Sequence, residues 1–423
     1  MVVMFTTSSD HLDDLSAYVT ASPSSYHAAD VAATRLEAAG FERVAETQPF
    51  PKGPGRRFLV RHGAVVAWVQ PDDVTPRAGF RVVGTHTDSP AFKVKPGALL
   101  TSAGWSQVGV EIYGGMLLNS WLDRELGIAG RIVTRDGAQH LVRTGAIARI
   151  PQLAIHLDRQ VNEGLKLDRQ TSMQPVLAMA PRGGLLPYLC ELAGISVDDV
   201  ALHDLFTFDV AAPARFGLHD EFFASGRLDN LSSTHAALSA IEDFEGAGDV
   251  AVFAAFDHEE VGSATSSGAA GPLLEDVVYR IASTLGLDMD GTRAMLARSS
   301  CVSADTGHVV HPNYPNHHDP VVAPLPNRGP LIKLNANQRY ATDAVGGAIW
   351  LKACNDAGVP TQVFVSNNAM PCGSTIGPIT ATRLGITTVD VGIGLLSMHS
   401  AREMCGVEDP LLLARALRAY WAG

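Results

Sequence analysis

The chain has 423 residues, 46% hydrophobic, 18% charged and 7% aromatic, enough for two or three domains with a large core and without a signature of disorder. Its formal charge is -12, from 32 basic and 44 acidic residues with no Lys/Arg block, which speaks against nucleic acid and anionic membrane as partners. Five scattered cysteines (Cys190, Cys301, Cys354, Cys372, Cys405) form no C-x-x-C. Asp10, Asp13 and Asp14 stand where a signal peptide needs basic then apolar residues, and no apolar run reaches the roughly 18 residues of a membrane span, so a cytoplasmic protein with reduced thiols is expected.

In chain order, residues 7–45 predict two helices. The first carries the stripe Leu12, Leu15, Tyr18, Val19 with Ser8 or Ser9 as N-cap, and the second runs from His27 to Ala39 before Gly40. Phe58 to Val69 and Phe80 to Val83 predict strands, the latter running into Gly84-Thr85-His86-Thr87-Asp88-Ser89-Pro90. His86 and Asp88 share a face at a strand end, the spacing of an imidazole ligand and a carboxylate that orients it, although a hydrogen-bonded loop histidine explains a lone H-x-D as well. From about Phe92 to Arg227 the texture turns β-rich: Val108–Tyr113, Arg131–Thr134 and His140–Val142 alternate, Arg135-Asp136-Gly137 signals a hairpin, and the one helix, Tyr188–Ala193, is short. By itself His156, in this stretch, reads as a structural histidine.

Beyond Arg227 the α/β texture returns, with a helix from Leu228 to about Phe244 and a strand over Val250–Phe256. That strand delivers Glu259 and Glu260 and stops at Val261-Gly262-Ser263. Neighbouring strand residues point to opposite faces, so both carboxylates reach one site only if the strand ends and the backbone turns there. Adjacent carboxylates resist joint ionisation unless cations hold them, which suggests Glu260 as a metal ligand and Glu259 as the general base; a solvated Glu-Glu loop is the plainer alternative. Gly262 stands where H-E-x-x-H needs its second histidine, so the single-zinc helical motif does not apply. A helix over Leu273–Leu285 and the run Cys301–Ala304, ending at Asp305, come next. His308, His311, His317 and His318 then crowd a Pro/Asn-rich loop, a setting for substrate contact or solvation rather than another metal site. Helices are expected at Thr342–Ala357, Thr375–Leu384 and Glu408–Trp421, and strands at Gln362–Val365 and Thr388–Ile393, the last feeding His399.

His86, Asp229, Glu259, Glu260, Asp305 and His399 each end or flank a strand or open a helix, and the carboxyl ends of the strands form the ligand crevice of an α/β sheet. Without Glu259 they divide between two metals, each ion taking one histidine, one carboxylate and a share of Asp229; such donors suit Zn²⁺, Mn²⁺ or Co²⁺.

The motifs G-T-H-T-D-S-P, S-G-R-L-D-N-L, F-D-H-E-E-V-G-S, S-A-D-x-x-H-x-x-H-P-N-Y, Q-R-Y-A-T, C-G-S-T-I-G-P-I and S-M-H-S-A-R-E resemble, in order, those of the aspartyl aminopeptidase family. The resemblance spans nearly the whole chain. It implies a metallo-aminopeptidase that hydrolyses the N-terminal residue of peptides, preferring Asp or Glu, through a metal-bridging water activated by Glu259. It further implies that His86 and Asp305 bind one zinc, Glu260 and His399 the other, that Asp229 bridges, and that Asp88 orients His86. The implied fold is an α/β catalytic domain with a central mixed sheet flanked by helices (1–91 and 228–423), interrupted by a β-rich oligomerisation domain (92–227). Homo-oligomers, dodecamers built from dimers, are expected, with His156 reaching a neighbour's active site. Lys333 is the expected cation for the acidic side chain, and His308, His311 and Tyr340 are further candidate substrate contacts. One departure stands out: where the family carries Arg-Asn-Asp before P-C-G-S-T, this chain reads Asn367-Asn368-Ala369-Met370, which puts the specificity in question. The competing readings are a two-metal aminopeptidase of neutral or broad specificity and, from another class, a shell-forming scaffold with a vestigial site. The latter predicts a missing ligand, and none is missing. Cys372 is assigned to packing.

Overall fold

In the computed structural model, which describes residues 7–75, 77–180, 184–246 and 248–423, the run Val250–Phe256 is a strand inside the main sheet. Val250, Val252, Ala254 and Phe256 pack with Trp68, Val82 and Leu273 on one face; Ala251, Phe253 and Ala255 pack with Val65, Leu231 and Leu413 on the other. A strand buried on both faces has no polar side, which is why its sequence is an unbroken apolar run.

Among the described residues there are three sheets, of nine, seven and five strands. The order in the largest is Glu42–Arg43, Gly55–Arg61, Ala64–Gln70, Val250–Phe256, Phe80–His86, Ser300–Ala304, Thr387–Gly392, Leu331–Leu334 and Gln362–Val365. Val250–Phe256, Phe80–His86, Ser300–Ala304 and Thr387–Gly392 run parallel, with Phe256 opposite His86 and Ser303 opposite Gly84. Their carboxyl ends therefore meet along one edge. Helices Ser8–Ala21, Ser25–Ala38, Leu228–Ile241, Ala344–Asp356 and Asp409–Ala422 cover one face, and Leu273–Thr284, Met289–Ala297 and Ile376–Leu384 the other. This is the mixed α/β architecture expected from the sequence.

The seven-stranded sheet lies between Ala91 and Asp209 and closes on itself, because Val200–Asp209 pairs with both Ala91–Ser102 and Glu125–Thr134. The Arg135-Asp136-Gly137 hairpin joins Glu125–Thr134 to Gln139–Arg143, as expected. The third sheet links distant parts of the chain: Phe222–Ser225 pairs with Glu403–Gly406, which pairs in turn with Gly394–Leu396.

Several local expectations are corrected. The first helix is capped by Thr7, whose Oγ1 accepts the Asp10 N–H, not by Ser8 or Ser9. Phe58–Val69 is not one strand but part of the hairpin Gly55–Arg61 and Ala64–Gln70, turned at His62-Gly63. A Cβ at Gly63 would collide with the Asp257 carboxylate and Ser25 Oγ, so the turn requires glycine. Helix Met289–Ala297, with Gly291 in its first turn, escaped the periodicity reading. None of the described helices is long and apolar enough to cross a membrane.

The first two helices are tied to the rest of the fold by buried polar groups. His235 Nε2 lies 2.6 Å from Asp14 Oδ2, and Arg35 bonds Asp14 at 2.8 Å and Glu242 at 2.6 Å. Burial holds the imidazoles of His11 and His235 below their ordinary value; His27 is pushed down to about 4 by burial and then by the charges of Arg143 and Arg227. A depressed histidine pKa means that the unfolded chain takes up protons which the folded chain refuses, so stability falls with pH below about 6.5. Chelator-treated protein should therefore show a melting temperature that declines from pH 6.5 towards pH 4, and His27→Gln should make that decline shallower. An unchanged slope in thermal melts would rule out the part assigned to His27.

Candidate metal centre

His86 ends one central strand, Asp305 follows the next, and Glu259 and Glu260 follow Val250–Phe256. The chain turn that carries the glutamates begins earlier than expected. His258 has φ 64°, Glu259–Val261 forms a single 3₁₀ turn, and Gly262 at φ 96° ends it. Both glutamates thus sit inside the turn, which starts ahead of the expected break at Val261-Gly262-Ser263. The Asp88 carboxylate stabilises this turn by accepting the N–H of Glu259 (3.0 Å) and of Glu260 (3.1 Å), and also the Tyr113 hydroxyl (2.7 Å). Asp229 opens helix Leu228–Ile241 in a non-helical conformation (φ -80°, ψ 106°), and His399 sits at φ 65° in the loop after Gly394–Leu396.

The side chains converge. Asp229 Oδ1 is 3.4 Å from His86 Nε2, and its Oδ2 is 3.3 Å from His399 Nε2. Asp305 Oδ1 is 3.5 Å from His86 Nε2, and Glu260 Oε2 is 3.5 Å from His399 Nε2. Two overlapping groups of potential ligands result, His86/Asp229/Asp305 and Asp229/Glu260/His399. Glu259 Oε2 lies 3.9 Å from His86 Nε2, and a further grouping joins His86 with both glutamates. These separations exceed hydrogen-bond lengths, but two donors about 2.0–2.1 Å from one tetrahedral zinc stand about 3.3–3.4 Å apart. Asp229 Oδ1 and Glu260 Oε1 are buried with no hydrogen-bond partner among the described residues, as donors awaiting a cation would be.

The electrostatics agree. Burial, and then the neighbouring carboxylates, push Glu259 up to about 8 and Glu260 well above the carboxylate range. Burial lowers both histidines, but Asp229, with Asp305 and Asp88 at His86 and Glu260 at His399, outweighs it: His86 rises well above the imidazole range and His399 to about 10. The protein alone offsets its crowded negative charge with protons, and divalent cations would take their place.

Around the centre, His86 Nδ1 lies 3.0 Å from the Asp88 carbonyl oxygen and 3.4 Å from its carboxylate, so the main chain of Asp88 also orients the ring. His399 Nδ1 is 2.9 Å from the Gly115 carbonyl. Tyr113 touches Asp88, Gly115 touches His399, and Glu403 touches the backbones of Asp229 and His399; the first two had no place in the sequence analysis and Glu403 entered it only as the last residue of S-M-H-S-A-R-E, since a hydroxyl, a carbonyl and a strand-end acid carry no spacing signature. Lys333 is 1% exposed, with its Nζ donating to the Thr306 carbonyl (2.8 Å), 3.7 Å from Asp305 Oδ2 and 5.1 Å from the Tyr340 ring centroid. Cys372 packs against Leu331, Tyr340 and Phe364, in keeping with its assignment to packing. His308, His311, His317 and His318 line a cavity of about 390 Å³ with Tyr314, and do not form a metal group among the described residues. Asn367 joins this loop, donating to the carbonyls of Asn316 and His318. His156 is exposed in the loop after Ile150 and has no hydrogen-bond partner among the described residues.

An α/β sheet that gathers histidines and carboxylates at its strand ends, with a spare glutamate beside them, defines a metallohydrolase. Residues 18–421 match the family model "Aminopeptidase I zinc metalloprotease (M18)", and the chain belongs to that family. It is 49% identical over 419 residues to the "Probable M18 family aminopeptidase 2" of Streptomyces coelicolor, covering 97% of each chain. It also resembles a chain of the cryo-EM structure of the Ape4 and Nbr1 complex (TM-score 0.94, 33% identity, 98% of this chain and 86% of that one). For the S. cerevisiae mApe1 dodecamer the values are TM-score 0.85, 28% identity, 97% of this chain and 96% of that one. The protein is a metallo-aminopeptidase, a hydrolase of peptide bonds.

Proposed function

We propose that this aminopeptidase removes acidic N-terminal residues, Asp or Glu, from peptides at a two-ion centre. The observation that carries the two-ion reading is Asp229, with one oxygen facing His86 and the other facing His399. His86 and Asp305 would hold one divalent ion and Glu260 and His399 the other, with Asp229 shared; zinc suits these donors best, manganese or cobalt next. Such ions, when bound, polarise the scissile carbonyl and lower the pKa of water. Glu259, not needed as a ligand, takes the proton of the attacking water and delivers it to the amine nitrogen as the C–N bond breaks. Asp88 keeps both glutamates in their turn through their N–H groups.

The same reading makes 92–227 an oligomerisation domain of a cytoplasmic homo-oligomer, a dodecamer built from dimers. Its support is the exposed apolar surface there, including Trp105, Leu153, Ile155 and Leu157, the free state of the five cysteines, and the solved dodecamer of the yeast relative. His156, exposed beside these residues, acts in a neighbour's active site.

For specificity, Lys333 is the cation for the substrate's carboxylate, with Tyr340, His308 and His311 around the substrate. Its ammonium already meets Thr306 and Asp305, and the loop at Asn367 and Ala369 lacks the family's Arg and Asp. These two observations favour a relaxed acidic preference.

Glu259→Gln should keep its metal and lose about 10²–10⁴-fold in kcat, the usual contribution of a general base, whereas Asp229→Asn should lose metal; elemental analysis with kinetics separates the two, and metal loss in the Glu259 variant would reverse the roles. Mixing inactive His156→Ala with inactive Glu259→Gln subunits should restore some activity, and none after verified subunit exchange would end the shared-site reading. Measured as kcat/KM, Asp- and Glu-linked substrates should exceed Leu- and Ala-linked ones, with measurable activity on the neutral pair. Lys333→Ala should erase much of the difference, since truncating one partner of a desolvated charge pair costs about 2–5 kcal/mol; a wild type preferring Leu would establish the neutral-specificity alternative.

A further inference from the structure

Glu403 is 2% exposed and begins the strand Glu403–Gly406. In the five-stranded sheet this strand lies between Phe222–Ser225, which leads into Asp229, and Gly394–Leu396, which leads into His399. Its carboxylate spans both neighbours: Oε2 accepts the Asp229 N–H at 2.9 Å, and Oε1 accepts the His399 N–H at 2.7 Å. Each ligand residue has left regular structure at that point, Asp229 with non-helical angles and His399 at φ 65°. Neither N–H has a carbonyl partner among the described residues, and a buried donor left unmade is costly. The neighbouring Ala401 N–H is held separately, by Ser120 Oγ at 2.8 Å.

We propose that Glu403 is a positioning residue of the metal centre. By holding the backbones of Asp229 and His399 on its two oxygens, it sets the spacing between the bridging carboxylate and the histidine of the Glu260/His399 ion. The proposal rests on the two-ion reading above. It also explains why the position carries an acid: a carboxylate accepts at both oxygens, whereas the isosteric glutamine accepts at one end and presents an NH₂ to the other N–H. Asp88 treats the Glu259–Glu260 turn in the same way, so the site has two buried carboxylates that each accept two backbone N–H groups.

The test uses the full-length chain and its Glu403→Gln variant, loaded with Zn²⁺ or Co²⁺. Zinc stoichiometry is measured by elemental analysis, affinity by chelator competition, coordination by the visible Co²⁺ spectrum, and turnover by kcat and KM. Wild type should hold two ions. The variant should melt cooperatively, retain one ion, bind the second about 10–100-fold more weakly, the usual cost of losing an outer-shell partner, show a changed Co²⁺ spectrum, and lose kcat while KM moves little. Excess metal should restore part of the activity. A Ser120→Ala control, which loosens the same loop at Ala401, should leave affinity and spectrum unchanged. A Glu403→Gln variant that only melts earlier, with wild-type affinity and spectrum, would overturn the proposal, as would an equal loss of affinity in Ser120→Ala. If the Gln variant does not fold, Glu403→Asp, whose shorter carboxylate reaches only one of the N–H groups, is read by the same criteria. A wild type holding fewer than two ions overturns the two-ion reading itself and is recognised before any variant is made.

Discussion

The structure turns on the crowding of carboxylates at one edge of a buried sheet. Asp88, Asp229, Glu259, Glu260 and Asp305 meet there, with His86 and His399 between them and Glu403 behind. Like charges so close repel, and burial removes the water that would screen them. Backbone N–H groups answer part of that charge at Asp88 and Glu403, imidazoles answer another part, and the rest is the room for divalent cations expected of a zinc metallopeptidase. The unpartnered oxygens of Asp229 and Glu260 mark where that room lies.

Everything larger in the fold serves to bring those groups to one edge. Four parallel strands in fixed register carry His86, the glutamate turn, Asp305 and the path to His399, while helices on both faces make the strands' carboxyl ends a rigid platform. Such rigidity matters because ligands must be held within fractions of an ångström before the metal arrives. The second sheet is not remote from this platform. The strand Trp105–Tyr113 ends in the Tyr113 hydroxyl, which donates to Asp88, and the loop after it brings the Gly115 carbonyl to His399, so the two sheets meet beside the candidate metal centre.

Much of this was legible in the sequence. Buried parallel strands require unbroken apolar runs, and Val250–Phe256 has the bounds read from its run; Gln362–Val365, a half-exposed edge strand, also has the expected bounds without such a run. Helices stop where a glycine lets the chain turn away: Gly358 and Gly385 take left-handed conformations just past their helices. Where reading failed, long-range contact had outweighed local pattern. Phe58–Val69 looked like one strand because its turn is a histidine and a glycine, chosen for the close approach of Asp257 and Ser25 from elsewhere in the chain.

By itself the sequence determined the α/β class and pointed to the histidines and carboxylates that the fold gathers at one edge, because strand periodicity and donor chemistry are local properties written in short stretches. The ordered motifs pointed further, to a metallo-aminopeptidase, and the family match agrees. Only the tertiary structure decided that Asp229 turns one oxygen to each histidine, that the glutamate turn starts at His258, and that Lys333 lies buried against Thr306 and Asp305. It alone revealed Glu403 holding the backbones of Asp229 and His399. Those facts depend on N–H groups and side-chain oxygens meeting across segments far apart in the chain, and no spacing along a sequence encodes a distance of that kind.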